Sequence, residues 1–272
     1  MKDLIRIAFT PLIGASLLLM LARPLNAHEF WIDPVRYQVP PGENIVADFR
    51  NGENFEGVQL AFFDRNSTRL QMAHKGDVRD LTPRAGDRPA INQAPMGDGL
   101  HVLAHETTMS RLTYREWEKF AGFAAHKDFA DIQQRHMDRG LPAENFREGY
   151  SRHAKALVTV GKVNGADQEL GMVTEFVART NPYTPDFTGE MKVNLYYQGQ
   201  IRPDAQVEIF DTGPDGTTDV RLARTDSAGQ AVIATQPGHR YLLDAVTLEP
   251  ADDGQIVWRT YWAALTFAVP AR

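Results

Sequence analysis

The chain has 272 residues, 43% of them hydrophobic, with 29 Lys and Arg against 35 Asp and Glu and no cysteine. A formal charge of −6 argues against nucleic acid and anionic membrane surfaces as partners. The lack of cysteine excludes a disulfide scaffold, so stability has to come from a core, and this length supports one or two domains.

Residues 1–27 read as a cleaved secretory signal peptide. Lys2 and Arg6 form a positive front, 7–22 is an apolar run, and Leu25-Asn26-Ala27 is a small-residue cleavage site. The run of about 16 residues is shorter than the roughly 20 that a spanning helix needs. The mature chain is therefore expected to begin at His28, to be soluble rather than membrane-embedded, and to reside in the periplasm of a Gram-negative cell.

From Phe30 to about His105 the pattern is one of short strands and turns. Residues 35–39, 45–50 and 58–63 read as strands, and Pro40-Pro41-Gly42 as a turn. Residues 74–99, rich in Gly, Pro, Asp and Arg, read as loops. Residues 99–106 form a strand that places His101, Leu103 and His105 on one face. Thr113-Tyr114-Arg115-Glu116 has the form of a capping box, and Trp117, Phe120, Ala124 and Phe129 follow at near-helical spacing, which predicts a helix from 114 to about 137. Gly140-Leu141-Pro142 breaks it. A second helix is predicted from Pro142, with a stripe of Phe146, Tyr150, His153 and Leu157.

After Gly161 the strands return. Asn181-Pro182-Tyr183-Thr184-Pro185 reads as a stiff linker. Beyond it, candidate strands at 191–197, 206–210, 220–225, 231–235, 241–248 and 257–269 are separated by Gly- and Pro-bearing turns. The fold class expected is mainly β: two immunoglobulin-like or transthyretin-like β-sandwich domains. Residues 28–178 form the first, with a helical insert at about 113–160, and 179–272 form the second.

Four stretches carry a family resemblance: His28-Glu29-Phe30-Trp31-Ile32-Asp33-Pro34, Tyr150-Ser151-Arg152-His153-Ala154-Lys155-Ala156-Leu157, Thr180-Asn181-Pro182-Tyr183 and Arg224-Thr225-Asp226-Ser227-Ala228-Gly229-Gln230. In this order they resemble a periplasmic family of unknown function whose members carry the label of nickel uptake, "nickel transport complex, NikM subunit". The resemblance implies two sandwich-like domains with a helical insertion and a place in transition-metal transport.

Eight histidines and no cysteine leave imidazole, carboxylate and a terminal amine as possible metal ligands. That set suits Ni(II), Cu(II) or Zn(II) better than Ca(II) or Mg(II). His28, if first in the mature chain, offers amine and imidazole to one ion, with affinity falling in acid as the amine takes up its proton. His101 and His105 lie about 13 Å apart along a strand, so only one is expected to ligate. His105, beside Glu106, is preferred. His153 would join if the helical insert presses it against His28 and His105. His126 and His136, ten residues apart on a predicted helix, are about 15 Å apart and cannot share an ion. His74 and His239 receive no role. No G-x-S-x-G, H-E-x-x-H or phosphate loop is present, so no enzyme is expected. The expected function is a periplasmic protein that binds or delivers a divalent transition metal, nickel or copper, to an inner- or outer-membrane transporter. The alternatives are a metal-free adaptor binding an envelope protein or glycan, and a copper protein with an N-terminal histidine brace.

Overall fold

The computed structural model describes residues 29–271. The expected signal segment and His28 lie outside the described residues. In chain order, nine strands come first: β1 (Glu29–Pro34), β2 (Gln38–Val39), β3 (Ile45–Glu53), β4 (Glu56–Leu60), β5 (Ser67–His74), β6 (Asp77–Asp80), β7 (Ile91–Gln93), β8 (Gly99–Thr107) and β9 (Ser110–Tyr114). Two helices follow, α1 (Trp117–His126) and α2 (Ile132–Asp138). The rest is β10 (Phe146–Val160), β11 (Thr174–Ala178), β12 (Glu190–Tyr197), β13 (Gln200–Ile201), β14 (Gln206–Thr212), β15 (Thr218–Arg224), β16 (Gln230–Ala234), β17 (Arg240–Pro250) and β18 (Trp258–Ala268).

The fold is mainly β, as expected, and sandwich-like. A central ten-stranded sheet runs in the order β15-β14-β17-β18-β10-β8-β5-β6, with β2 and β9 also paired to β10. One small sheet is β1-β3-β4, with β7 on β3; the other is β11-β12-β13, with β16 on β12. Each small sheet covers a different face of the central one. Trp31, Ile45 and Phe49 pack with Met72, Leu103, Ala154 and Leu242 in one core. Phe176, Met191 and Val193 pack with Val102, Leu157, Leu243 and Leu265 in the other. Alternation along a strand makes this possible, since Leu242 and Leu243 of β17 enter opposite cores.

The expected boundary at residue 179 therefore does not separate independent sandwiches. β11 precedes it yet pairs with β12, while β17 and β18 follow it yet lie in the central sheet. β18 runs parallel beside β10, with Tyr150 opposite Thr260 and Ala154 opposite Ala264. Both sandwiches are built on the two faces of one shared sheet.

The predicted second helix is a strand. Phe146, Tyr150, His153 and Leu157 all belong to β10. Ala154–Val160 are buried at every successive position, because β10 lies mid-sheet with a layer on each face. Such a strand loses its period-two signature and reads as a continuous apolar run, and the four-three-four spacing is coincidental. The predicted helix from 114 to 137 exists as α1 and α2, broken where Asp128 takes a left-handed conformation at φ 67°. The capping box does not form, since Tyr114 ends β9 and Glu116 caps α1 without a side-chain bond. Strands also lie where none was predicted, among them β5, β9 and β13, and β6 and β7 within the expected loops.

The β3–β4 turn holds Asn54 at φ 53° and Phe55 at φ 61°. A bulky residue in that region is disfavoured by about 1–2 kcal/mol. Phe55 is nonetheless buried, edge-on to Trp31 with centroids 5.4 Å apart and under the Arg240 guanidinium at 4.5 Å. Packing wins this contest, because losing a buried Phe costs about 3–5 kcal/mol. Phe55→Gly, though it relieves the backbone, is expected to lower the urea midpoint. An unchanged or higher midpoint would reverse the ranking.

Candidate functional site

The structure separates the histidines named above. His105 and His153 sit on adjacent strands of the central sheet but on opposite faces. The His105 ring stacks on Phe49 at 4.2 Å and lies 5.5 Å from Phe30, in the core under the first small sheet. The His153 ring faces Tyr261 at 6.0 Å, and its Nε2 lies 3.6 Å from Glu106 Oε1. The sheet stands between them, so they do not form one pocket as expected.

His101 does share the His105 face, but it is committed elsewhere. It stacks on His74 at 4.3 Å, its Nε2 accepts the Met96 N–H at 3.0 Å, and its Nδ1 lies 3.0 Å from Gly99 O. His28 lies outside the described residues. His136 accepts the Trp258 indole N–H at 2.9 Å on Nδ1 and is a core residue. His126 pairs with Glu208 at 2.8 Å.

His105 is the exception among them. It is buried, yet neither ring nitrogen has a hydrogen-bond partner among the described residues. Burial, with a smaller contribution from His153, pushes its pKa down to about 3, so the ring is neutral, with one N–H donor and one acceptor unmet. Buried polar groups are almost always satisfied, and an unsatisfied one costs about 1–3 kcal/mol. His105 also lines a cavity of about 570 Å³.

The cavity opens at a seam. The helical pair and the first small sheet cover adjacent parts of the same face of the central sheet. Between them, Phe30, Phe49 and Leu60 form one wall, and Lys119, Phe123 and β9 form another. The floor is the central sheet: His105 and Thr107 of β8, Glu148, Tyr150 and Arg152 of β10, and Trp262 of β18. The Arg152 backbone N–H donates to Thr107 Oγ1 at 2.9 Å, which sets Arg152 opposite Thr107 and diagonal to His105. The Arg152 guanidinium lies 3.8 Å over the Trp262 ring. Its Nη1 is buried without a hydrogen-bond partner among the described residues.

Glu148 is the one carboxylate of the lining. It is already held, accepting from Tyr114 Oη at 2.8 Å and from Thr260 Oγ1, and burial raises its pKa. Arg115, Lys119 and Arg152 give the lining three cations, in a protein whose acids outnumber its bases.

Behind Trp262 lies a buried charge cluster. Lys127 Nζ sits 3.3 Å from Glu29 Oε1, 2.5 Å from Glu208 Oε2 and 3.0 Å from Asp244 Oδ2, and 4.7 Å over the Trp262 ring. The three carboxylates lie within 4.8 Å of one another and have the spacing of a metal site. The ammonium already fills that position. Burial opposes the charge on Lys127, but Asp244, Glu208 and Glu29 outweigh it and raise its pKa. Burial pushes Glu29 up to about 7 against the pull of Lys127. Glu208 goes down, since the hydrogen bond from His126 and the charge of Lys127 overcome its burial.

Sequence reading puts His105 among the candidates and misses Arg152, Glu148 and the Lys127 cluster. Arg152 sits inside the stretch 150–157, but assigning that stretch to a helix gives it no cavity to face. No local spacing joins Glu29, Lys127, Glu208 and Asp244, which are brought together only by topology.

No curated protein matches the sequence. Among solved structures the chain is similar to the adhesin InvE of Yersinia pseudotuberculosis, at 10% identity and a TM-score of 0.19, with 89% of this chain and 58% of that one covered. It thus spans under two thirds of the adhesin's length, and so slight a likeness carries no argument. The sequence itself places the protein more firmly: the domain of unknown function DUF4198 matches residues 25–249, most of the chain, and the protein belongs to that family.

Proposed function

We propose that the protein is an exported binding protein that holds a small, largely apolar solute in the seam cavity. One observation carries the reading: a buried imidazole with both nitrogens unmet faces an aromatic-lined cavity of about 570 Å³. That volume lies in the range of small-molecule sites, roughly 300–1,000 Å³, which combine apolar walls with a few convergent polar groups. Stability alone gives no reason to keep such a ring, since an apolar one would fit the same stack. Export rests on the charged front, apolar run and cleavage site of residues 1–27.

A nickel or copper carrier has less support. His101 and His153 do not converge on His105, and the acidic cluster already holds an ammonium. The metal reading then depends on His28, and membership of a family of unknown function adds nothing on nickel.

The test is binding of the neutral fluorophore N-phenyl-1-naphthylamine by the protein expressed from its whole sequence. Saturable binding at about one site per chain is expected, with loss on Ala61→Trp, which fills the cavity from its rim. Absence of binding, or binding that Ala61→Trp leaves intact, sinks the solute reading.

A further inference from the structure

The cavity is not only apolar; its charge is one-sided. Resting on the solute-binding reading above, we propose that its natural ligand is a monocarboxylate on a flat, unsaturated body, with the carboxylate held between the Arg152 guanidinium and the His105 N–H.

Arg152 supplies the charge. Its Nη1 is buried and without a hydrogen-bond partner among the described residues, and a guanidinium remains protonated in any protein setting. The carboxylates acting on it through space are Asp244, Glu29 and Glu148. Asp244 and Glu29 are held by Lys127, and Glu148 accepts from Tyr114 and Thr260. The planar fork suits a carboxylate, which it can bind through two parallel N–H donors.

His105 supplies the second contact. Thr107 faces Arg152 across β8 and β10, and His105 is two residues away on the same face. Diagonal neighbours of this kind are about 7–8 Å apart, which leaves room for one carboxylate between the two head groups. A neutral imidazole offers one N–H to an anion and is not itself a competing charge.

The body of the ligand follows from the walls. Phe30, Phe49, Phe62, Phe123 and Trp262 line the cavity and favour a flat ring or conjugated chain. The lining offers one buried guanidinium, whose fork pairs with a single carboxylate; a second carboxylate on the ligand would find no buried cation of its own. Lys119 and Arg115 stand in the same lining, where they favour approach of an anion.

The experiment is calorimetric titration of the protein expressed from its whole sequence with trans-cinnamate and, separately, with trans-cinnamamide, at pH 7.5. The pair differs in charge and hardly in shape. Cinnamate is expected to bind at least tenfold more tightly. Arg152→Gln removes that preference, and Arg152→Lys, which keeps the charge, retains most of it. Equal binding of acid and amide overturns the carboxylate inference and leaves the solute reading standing, as does cinnamate binding unchanged in Arg152→Gln. If neither compound binds while the neutral fluorophore does, the inference fails alone; if none of the three binds, both fail. The acid–amide comparison on the unaltered protein needs no variant to fold.

Discussion

Replacing Lys127 with methionine is expected to lower the stability of the fold by about 3–5 kcal/mol at pH 7.5, the usual cost of removing one partner from a buried ionic cluster. Lys127 closes the C-terminal end of α1, where its backbone N–H reaches Phe123 O at 3.0 Å. Its ammonium fastens that helix to β1, β14 and β17 at once, through Glu29, Glu208 and Asp244. Without it, three buried carboxylates face one another, and Arg152 and His126 are the nearest compensating cations. The carboxylates would take up protons rather than remain charged.

That response gives the prediction its sign. Their folded pKa values in the variant lie above the unfolded ones, so the folded state binds more protons, and stability is regained as pH falls towards the ordinary carboxylate range. Urea unfolding at pH 7.5 and pH 5 should show a large deficit at the first and a smaller one at the second. Adding Asp244→Asn to the variant should recover some of the loss. A deficit below about 1 kcal/mol at pH 7.5, the value of an exposed pair, would show that the cluster does not secure the helix.

The second large effect is acid lability. Burial pushes His105 to about 3 and His153 to about 4, both below the ordinary value of 6.5. Between those limits the unfolded chain binds protons that the folded one refuses. Stability is therefore complete above about pH 6.5 and falls as the pH drops towards 4, by up to about 1.4 kcal/mol per pH unit for each ring. Glu29 acts in the opposite sense. Its pKa rises from 4.5 to about 7, so acidification through that window favours the folded state and offsets roughly one histidine. His101, pushed down to about 4 by burial, adds a third such ring, while Asp33, Glu148 and Asp244, raised by burial, act with Glu29, so the histidine contribution is measured against a variant that lacks one ring.

His105→Phe isolates the largest single histidine share of that effect. The new ring keeps the stack on Phe49 and removes two unmet nitrogens, so the variant should be more stable at every pH, with a shallower decline by about one proton. It should also bind cinnamate less well. A variant that is less stable at neutral pH would show that His105 has a partner the geometry does not reveal.

Much of the β architecture is legible in the sequence. The strands predicted after residue 190 fall within a few residues of their expected ends, because Gly- and Pro-bearing turns bound them, even where β14, β17 and β18 are covered on both faces. What escapes is what depends on the third layer. β10 is covered on both sides, so its residues carry no alternation, and helical spacing can be read into them by chance. The same layer separates His105 from His153, which a single-sheet picture would place side by side. Arg152 and the four charges around Lys127 come from elements far apart in the chain and leave no local motif. His105 stands out in the sequence for metal chemistry. The structure keeps it as the central residue of the site but surrounds it with phenylalanines and an arginine.

The placement of β18 has a consequence for how the chain acquires this structure. The last strand lies in the middle of the central sheet, hydrogen-bonded to β17 on one side and β10 on the other. Thr266 Oγ1 also donates to Ile32 O at 2.7 Å, which ties the final strand to the first. The sheet cannot close until residues up to Ala268 have been synthesised, and the β10–β18 pairing joins residues about 110 positions apart, such as Glu148 and Trp258. Folding should be slow and should not proceed from the N-terminus outward. Before β18 arrives, β10 and β17 each present an open edge, the kind of surface on which strands of different molecules pair. A chain cut before Trp258 should therefore aggregate rather than form a smaller stable domain.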